Sequence, residues 1–152
     1  MTKNSLILVC FFLAVITCVI NGCQGQQEIK KAQFFTNGQS LYSAKCENCH
    51  GAKGEGLGNL YPPLTDTAFV RSIRHELACI VKHGLHKELI VDNRTFDTEM
   101  PANPALTDQE IAYILTYVGN AFGNELGLID TEEVSVHLKN CAAKNSARSI
   151  DR

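Results

Sequence analysis

The sequence predicts a small all-α domain of three to five helices, with one small β-hairpin inserted. Three observations carry this. Apolar residues recur at three- and four-residue steps in several stretches, as on one face of a helix. The segments between them are rich in Gly and Pro, which break helices. A short strand–turn–strand pattern surrounds Asp92-Asn93-Arg94. At 152 residues, 45% hydrophobic and 20% charged, the chain has the size and composition of one globular domain. Its net charge of −2 argues against nucleic acid as a partner, which a basic stripe would attract.

The N-terminus reads as targeting sequence. Lys3 supplies a short basic region, and Leu6 to Ile20 is an apolar run of 15 residues. That is shorter than a membrane span and suits a signal-peptide core. The run ends in Ile20-Asn21-Gly22-Cys23, which resembles the bacterial lipobox, with Asn21 standing where Ala or Ser is usual. The expectation is a lipoprotein-type signal over residues 1–22, lipid on Cys23 and a polar tether over 23–31. Two or more acyl chains there would give a stable membrane anchor. A plain secretory cleavage and an uncleaved anchor are the alternatives. All three put the domain outside the cytoplasm, on the periplasmic side of a bacterial membrane.

The domain proper is expected over 32–123. Its first helix should start near Ile29 or Ala32 and end at Lys45, with Phe34, Phe35, Gly38, Leu41 and Tyr42 on one face. Gly38 costs such a helix roughly 1 kcal/mol relative to Ala, so close packing against bare backbone is expected there.

Next comes Cys46-Glu47-Asn48-Cys49-His50. C-x-x-C-H is the attachment signature of c-type haem. Two thiols at this spacing reach the two vinyl groups of one porphyrin, and His50 follows where its imidazole can meet the iron. No second C-x-x-C exists to complete a zinc ribbon. The flanks also lack the βαβ pattern of a thioredoxin-like dithiol. One covalent haem c is the expected cofactor.

Four glycines fall between Gly51 and Gly58, with neither a preceding strand nor a following Gly-Lys-Ser/Thr to make a phosphate loop. They suit backbone that wraps a haem edge. Tyr61-Pro62-Pro63-Leu64 then stiffens the chain. Thr65 or Asp66 should cap a helix running through Phe69, Ile73 and Leu77 to His83, with Gly84 as its stop. Leu89–Val91 and Thr95-Phe96 should form the hairpin around Asp92-Asn93-Arg94. Met100-Pro101 to Pro104 should be an extended loop. Thr107 and Glu110 spell a capping box before the apolar face of Ile111, Ile114, Leu115 and Val118. The remaining 124–152 form an extension, with a helix over Thr131–Cys141 and a frayed end after Lys144.

Cysteine arithmetic follows. Cys10 and Cys18 leave with the signal, Cys23 takes lipid, and Cys46 and Cys49 take haem. Cys79 and Cys141 remain, and in an oxidising compartment a disulfide is the economical reading. Two free buried thiols are the alternative.

The second axial ligand decides function, because a haem held on one side is open to gases and peroxide. Met100 is the one methionine outside the signal, fifty residues beyond His50 in a Pro-stiffened loop. Its thioether is a soft donor that suits haem iron and raises the reduction potential. His75, His83 and His86 are the rivals. Arg71, Arg74 and Tyr61 are candidates to meet the haem propionates.

Gly38, Tyr42, Cys46, Cys49, His50, Met100-Pro101 and the helix from Leu106 to Val118 together resemble a class I c-type cytochrome of the mitochondrial type. The resemblance covers roughly Gln33 to Phe122. His83-Gly84-Leu85, Val91-Asp92-Asn93-Arg94 and Leu106-Thr107-Asp108-Gln109-Glu110 are similar to small bacterial carriers and oxidase-attached cytochrome domains. It implies the class I cytochrome c fold around one haem, with Gly38 letting the first helix cross the capped one. It also implies that a proline carbonyl, at Pro62 or its neighbour Pro63, takes the His50 ring N–H. The chain lacks Trp, so Phe or Tyr must fill any place that Trp holds in the family.

The expected function is electron transfer through haem iron held by His50 and Met100, with no small-molecule substrate and no catalytic residues. Redox proteins such as membrane oxidases or reductases are the expected partners. The alternatives are a haem enzyme or gas sensor with an open or labile sixth position, or a fixed subunit of a respiratory complex.

Overall fold

The computed structural model describes residues 3–150, with side chains at 11–13 and 25–141. In order the elements are α1 (Lys3–Lys45), α2 (Glu47–His50), α3 (Thr67–Ser72), α4 (Leu77–His83), β1 (Leu89–Val91), β2 (Arg94–Phe96), α5 (Asp108–Val118) and α6 (Thr131–Ile150). The chain divides into two compact units, Met1–Gln33 and Phe34–Arg152.

The first unit is helical. Residues 23–31, the expected polar tether, are helical, and α1 starts at Lys3, not near Ile29 or Ala32. Apart from Ile29, the stretch from Gln26 to Gln33 is made of Gln, Glu, Lys and Ala, all good helix formers. The side chain of Cys23 lies outside the described residues. Among the described residues, no helix is long and apolar enough to cross a membrane.

The second unit is built on α5. The Thr107 hydroxyl accepts the Glu110 N–H at 3.2 Å while the Glu110 carboxylate accepts the Thr107 N–H at 2.8 Å, the reciprocal bonds of a capping box. Every residue of α5 from Ile111 to Val118 except Tyr113 is buried. Gly38 of α1 meets the backbone of Tyr113, where any Cβ would overlap the carbonyl. Phe34 stands edge-on to Tyr113, with ring centres 4.8 Å apart. Tyr42, Tyr117 and Phe122 make a second aromatic cluster, with centres 5.2 to 5.6 Å apart, in a chain without Trp.

The expected helix from Asp66 to His83 is two helices. Asp66 caps α3 by accepting the Phe69 N–H at 2.9 Å. Between Ile73 and Leu77 shorter-range bonds such as Glu76 N–H to the Ile73 carbonyl interrupt the α ladder, though Leu77 N–H still reaches that carbonyl. Arg74, in that turn, bonds both carboxylate oxygens of Glu133 at 2.8 Å and the Leu126 carbonyl at 2.6 Å. Gly84 ends α4 in the left-handed region at φ 78°.

The hairpin pairs Leu89 with Phe96, Ile90 with Thr95 and Val91 with Arg94. Its turn is two residues, Asp92 and Asn93, both at positive φ as a type I′ turn requires. Arg94 thus belongs to the strand, not to the turn.

The extension packs back on the domain, α6 lying against both α4 and α5. Thr116 exchanges hydrogen bonds with the backbone of Ile129 at 2.9 and 3.1 Å, and Asp130 caps α6 at the Glu133 N–H. Ile129 and Val134 are buried. Cys79 of α4 and Cys141 of α6 form a disulfide in the structure, with Cα atoms 6.1 Å apart. The helix runs on to Ile150 where a frayed end is expected after Lys144. Alanines, Lys144 and Arg148 favour helix there.

Candidate haem-binding site

One helical turn presents the attachment motif. The His50 N–H bonds the Cys46 carbonyl at 2.9 Å, which brings Cys46, Cys49 and His50 to one side. The Tyr42 hydroxyl, buried beneath them, donates to the Gly51 carbonyl at 2.6 Å and closes that turn. Burial pushes the Tyr42 phenol well up, with Cys46 adding to it, so the hydroxyl stays a donor. Burial also pushes the Cys46 thiol up to about 11, with Cys49 adding to it. The site disfavours charge.

The glycine loop then folds back. Gly56 donates to the His50 carbonyl at 2.8 Å, and Leu64 donates to that of Gly54 at 2.8 Å. Gly54 is left-handed at φ 67°, and a Cβ there would overlap the Phe122 ring. This path carries Pro62 over the imidazole. Of the two prolines, it is Pro62 whose carbonyl lies 3.1 Å from His50 Nδ1. Burial holds His50 below the ordinary histidine range, and the Pro62 hydrogen bond opposes this less strongly. The neutral ring, with its Nδ1–H spent on Pro62, has a lone pair at Nε2 for a metal.

The motif opens into a cleft whose empty space, including the part open to solvent, is about 1070 Å³. Its walls are mainly apolar and include Leu64, Phe69, Ile73, Ile114, Leu115 and Val118. Two thiols, a neutral imidazole and dry walls are the donor set and surroundings a covalent haem requires. The residues fit it.

Met100 lines the same cleft. Two hydrogen bonds with Leu85, at 2.9 and 3.0 Å, strap its backbone to the chain just beyond α4. Gly84 makes room, since a Cβ there would crowd the Met100 carbonyl. Lys82 bonds the carbonyls of Pro104 and Leu106, and Asn103 that of Val81, so the whole loop hangs from α4.

The rival histidines stand elsewhere. His75 Nδ1 lies 3.2 Å from His137 Nε2, His86 pairs with Glu99 at 3.3 Å, and His83 is exposed. None of them lines the cleft. Of the expected propionate partners, Arg74 is committed to Glu133 and Leu126, and Arg71 is exposed away from the cleft. Tyr61 does line it. So do Lys87 and Thr98, which sequence reasoning missed. Both flank the hairpin, and only its register reveals that they face the cleft.

The sequence profile of the cytochrome c family matches residues 35–121. The chain belongs to the cytochrome c family. It is 27% identical over 92 residues to cytochrome c-552 of Thermus thermophilus, a match covering 58% of this chain and 70% of that protein. A second cytochrome c-552, from a particular strain of the same organism, matches equally over 62% of its length. The fructose dehydrogenase cytochrome subunit of Gluconobacter japonicus is 29% identical over 106 residues, which span 65% of this chain and 21% of that subunit. The match thus spans less than two thirds of the last two relatives' own lengths. Membership makes covalently bound haem c the cofactor of this cytochrome and electron transfer its broad activity. Its helical fold with one two-stranded sheet is that of a class I c-type cytochrome.

Proposed function

We propose that this cytochrome carries single electrons between respiratory redox proteins, its iron held by His50 and Met100. The observation that supports this most is that both side chains line the same apolar cleft, into which Cys46 and Cys49 open. Bound haem supplies a one-electron couple there. The protein's share is structural. Cys46 and Cys49 hold the porphyrin by thioethers, Pro62 sets the tautomer and orientation of His50, and the Leu85 strap holds Met100 in place. The apolar walls keep water from the iron.

Cys23, after an apolar run and a lipobox-like tripeptide, is the proposed lipid anchor. It confines the carrier to the periplasmic surface of a membrane, close to membrane oxidases or reductases. The test is the visible and near-infrared spectrum of the oxidised and reduced holoprotein, with carbon monoxide added to the reduced form. A sulfur-to-iron charge-transfer band that Met100→Ala abolishes, with indifference to carbon monoxide, is expected. Ready carbon monoxide binding to the unmutated protein would overturn the carrier reading in favour of an enzyme or gas sensor.

A second reading is a fixed subunit of a larger complex. The likeness to a dehydrogenase cytochrome subunit favours it. Purification under mild detergent separates the two, since a fixed subunit elutes in a stoichiometric assembly and a carrier alone.

A further inference from the structure

Three polar side chains on the cleft wall have no task in the site described so far. They are Tyr61, Lys87 and Thr98. The other polar groups there are engaged, Tyr42 with the Gly51 carbonyl and His50 with that of Pro62. Among the described residues, neither the Tyr61 hydroxyl, the Lys87 ammonium nor the Thr98 hydroxyl has a hydrogen bond or ion pair. Among the described residues, Lys87 is also the one Lys or Arg on the wall, which carries no Asp or Glu.

Their placement is set by the hairpin. Leu89 pairs with Phe96, and both line the cleft. Side chains alternate along a strand, so the residues two places outward fall on the same side. Continued by two residues, the antiparallel register sets Lys87 opposite Thr98. A cation and a hydroxyl therefore sit side by side at the end of an apolar strand face. Tyr61 comes from the other side of the chain, just before the Pro62 that bonds His50.

Haem is amphipathic in a matching way, with an apolar ring and two carboxylates on one edge. A carboxylate drawn into an apolar cleft without a partner is costly, and a cation with adjoining hydroxyls offsets the loss of water. We infer that Lys87, Thr98 and Tyr61 form the receptor for the carboxylate edge of the haem, with Lys87 as its counter-ion. The inference rests on the haem reading of this cleft. Lys87 acts as a positioning residue. It fixes which way round the porphyrin sits, and its charge offsets that of the carboxylates near the iron. Without it the carboxylate charge favours the ferric state, and the reduction potential falls.

The test uses the holoprotein carrying Lys87→Gln, Lys87→Arg, Tyr61→Phe or Thr98→Val, with Lys139→Gln as a control on the exposed side of α6. Two quantities are read, the midpoint potential and the carboxylate bands of the redox-difference infrared spectrum, with haem labelled at its carboxyl carbons. Lys87→Gln is expected to lower the potential and shift the labelled bands, and Lys87→Arg to restore both. Tyr61→Phe and Thr98→Val should shift the bands with a smaller change in potential, and Lys139→Gln should change neither. A Lys87→Gln protein with normal covalent-haem absorbance but unchanged potential and bands would overturn the assignment. So would an equal effect from Lys139→Gln. A wild-type chain without covalent-haem absorbance would fail the haem reading itself, which is seen before any variant is made.

Discussion

Gly38 of α1 lies so close to the carbonyl oxygen of Tyr113 in α5 that any side chain would overlap it. The two helices therefore touch backbone to backbone. In an isolated helix Gly38→Ala would gain about 1 kcal/mol of propensity. Here the added methyl has nowhere to go, because the Tyr113 carbonyl and Tyr117 Cβ, at 2.8 Å from the new atom, belong to a rigid, buried helix. Net destabilisation of about 1–3 kcal/mol is expected, as for other overpacked cores. Denaturant unfolding of the holoprotein measures it, and an unchanged midpoint would mean that the helices can part freely.

Arg74 reaches Glu133 across 59 residues of sequence with two bonds of 2.8 Å, and a third goes to the Leu126 carbonyl. Both side chains are about three-quarters covered. Glu133→Gln keeps part of the contact and should cost about 1 kcal/mol. Arg74→Ala leaves a carboxylate and a carbonyl short of a donor, and should cost about 2–3 kcal/mol. Urea titrations of the two variants, side by side, test the order. Equal costs would show that the carbonyl contact contributes nothing.

Acid should weaken α5 at its start. The Thr107 backbone N–H, and then its hydroxyl, hold the Glu110 carboxyl below its ordinary value near 4.5. A carboxylate with a lower pKa in the folded state stabilises fully above its unfolded pKa. That contribution fades as pH falls through the folded value. Glu110→Gln should therefore flatten the fall in melting temperature between pH 5 and lower pH, while Thr107→Ala should cost about 1 kcal/mol at neutral pH. A Glu110→Gln protein with the same acid profile as wild type would dispose of this account.

If Cys79 and Cys141 are bonded in the mature protein, the holoprotein resists alkylation until a reductant is added. The loop closed by 62 residues of separation is worth about 4 kcal/mol in the chain-entropy account. Reductant should lower the melting temperature of wild type and leave a Cys79→Ser/Cys141→Ser protein unaffected. Immediate alkylation of both thiols would refute the bond.

Local chemistry is legible in the sequence. The C-x-x-C-H run, the Thr107–Glu110 box and the stop at Gly84 each depend on residues within five positions of one another, so their spacing is enough to place them. What escapes depends on distant partners. The break between α3 and α4 coincides with Arg74 reaching the extension, and nothing near Ile73 announces it. Lys87 looks like any surface lysine until the register of the hairpin turns it toward the cleft. The helical stretch before Phe34 reads as a tether when its polarity alone is weighed, and as helix once its propensity is added.

In the structure the bond between Cys79 and Cys141 closes a ring of chain, and Met100 lies inside that ring. A methionine on an open chain can drift away whenever its loop detaches. One on a closed ring is leashed from both sides. If Met100 is the iron ligand proposed above, with the porphyrin tethered at Cys46 and Cys49, a transiently loosened molecule keeps the sulfur within a short search radius, so that recapture outpaces escape.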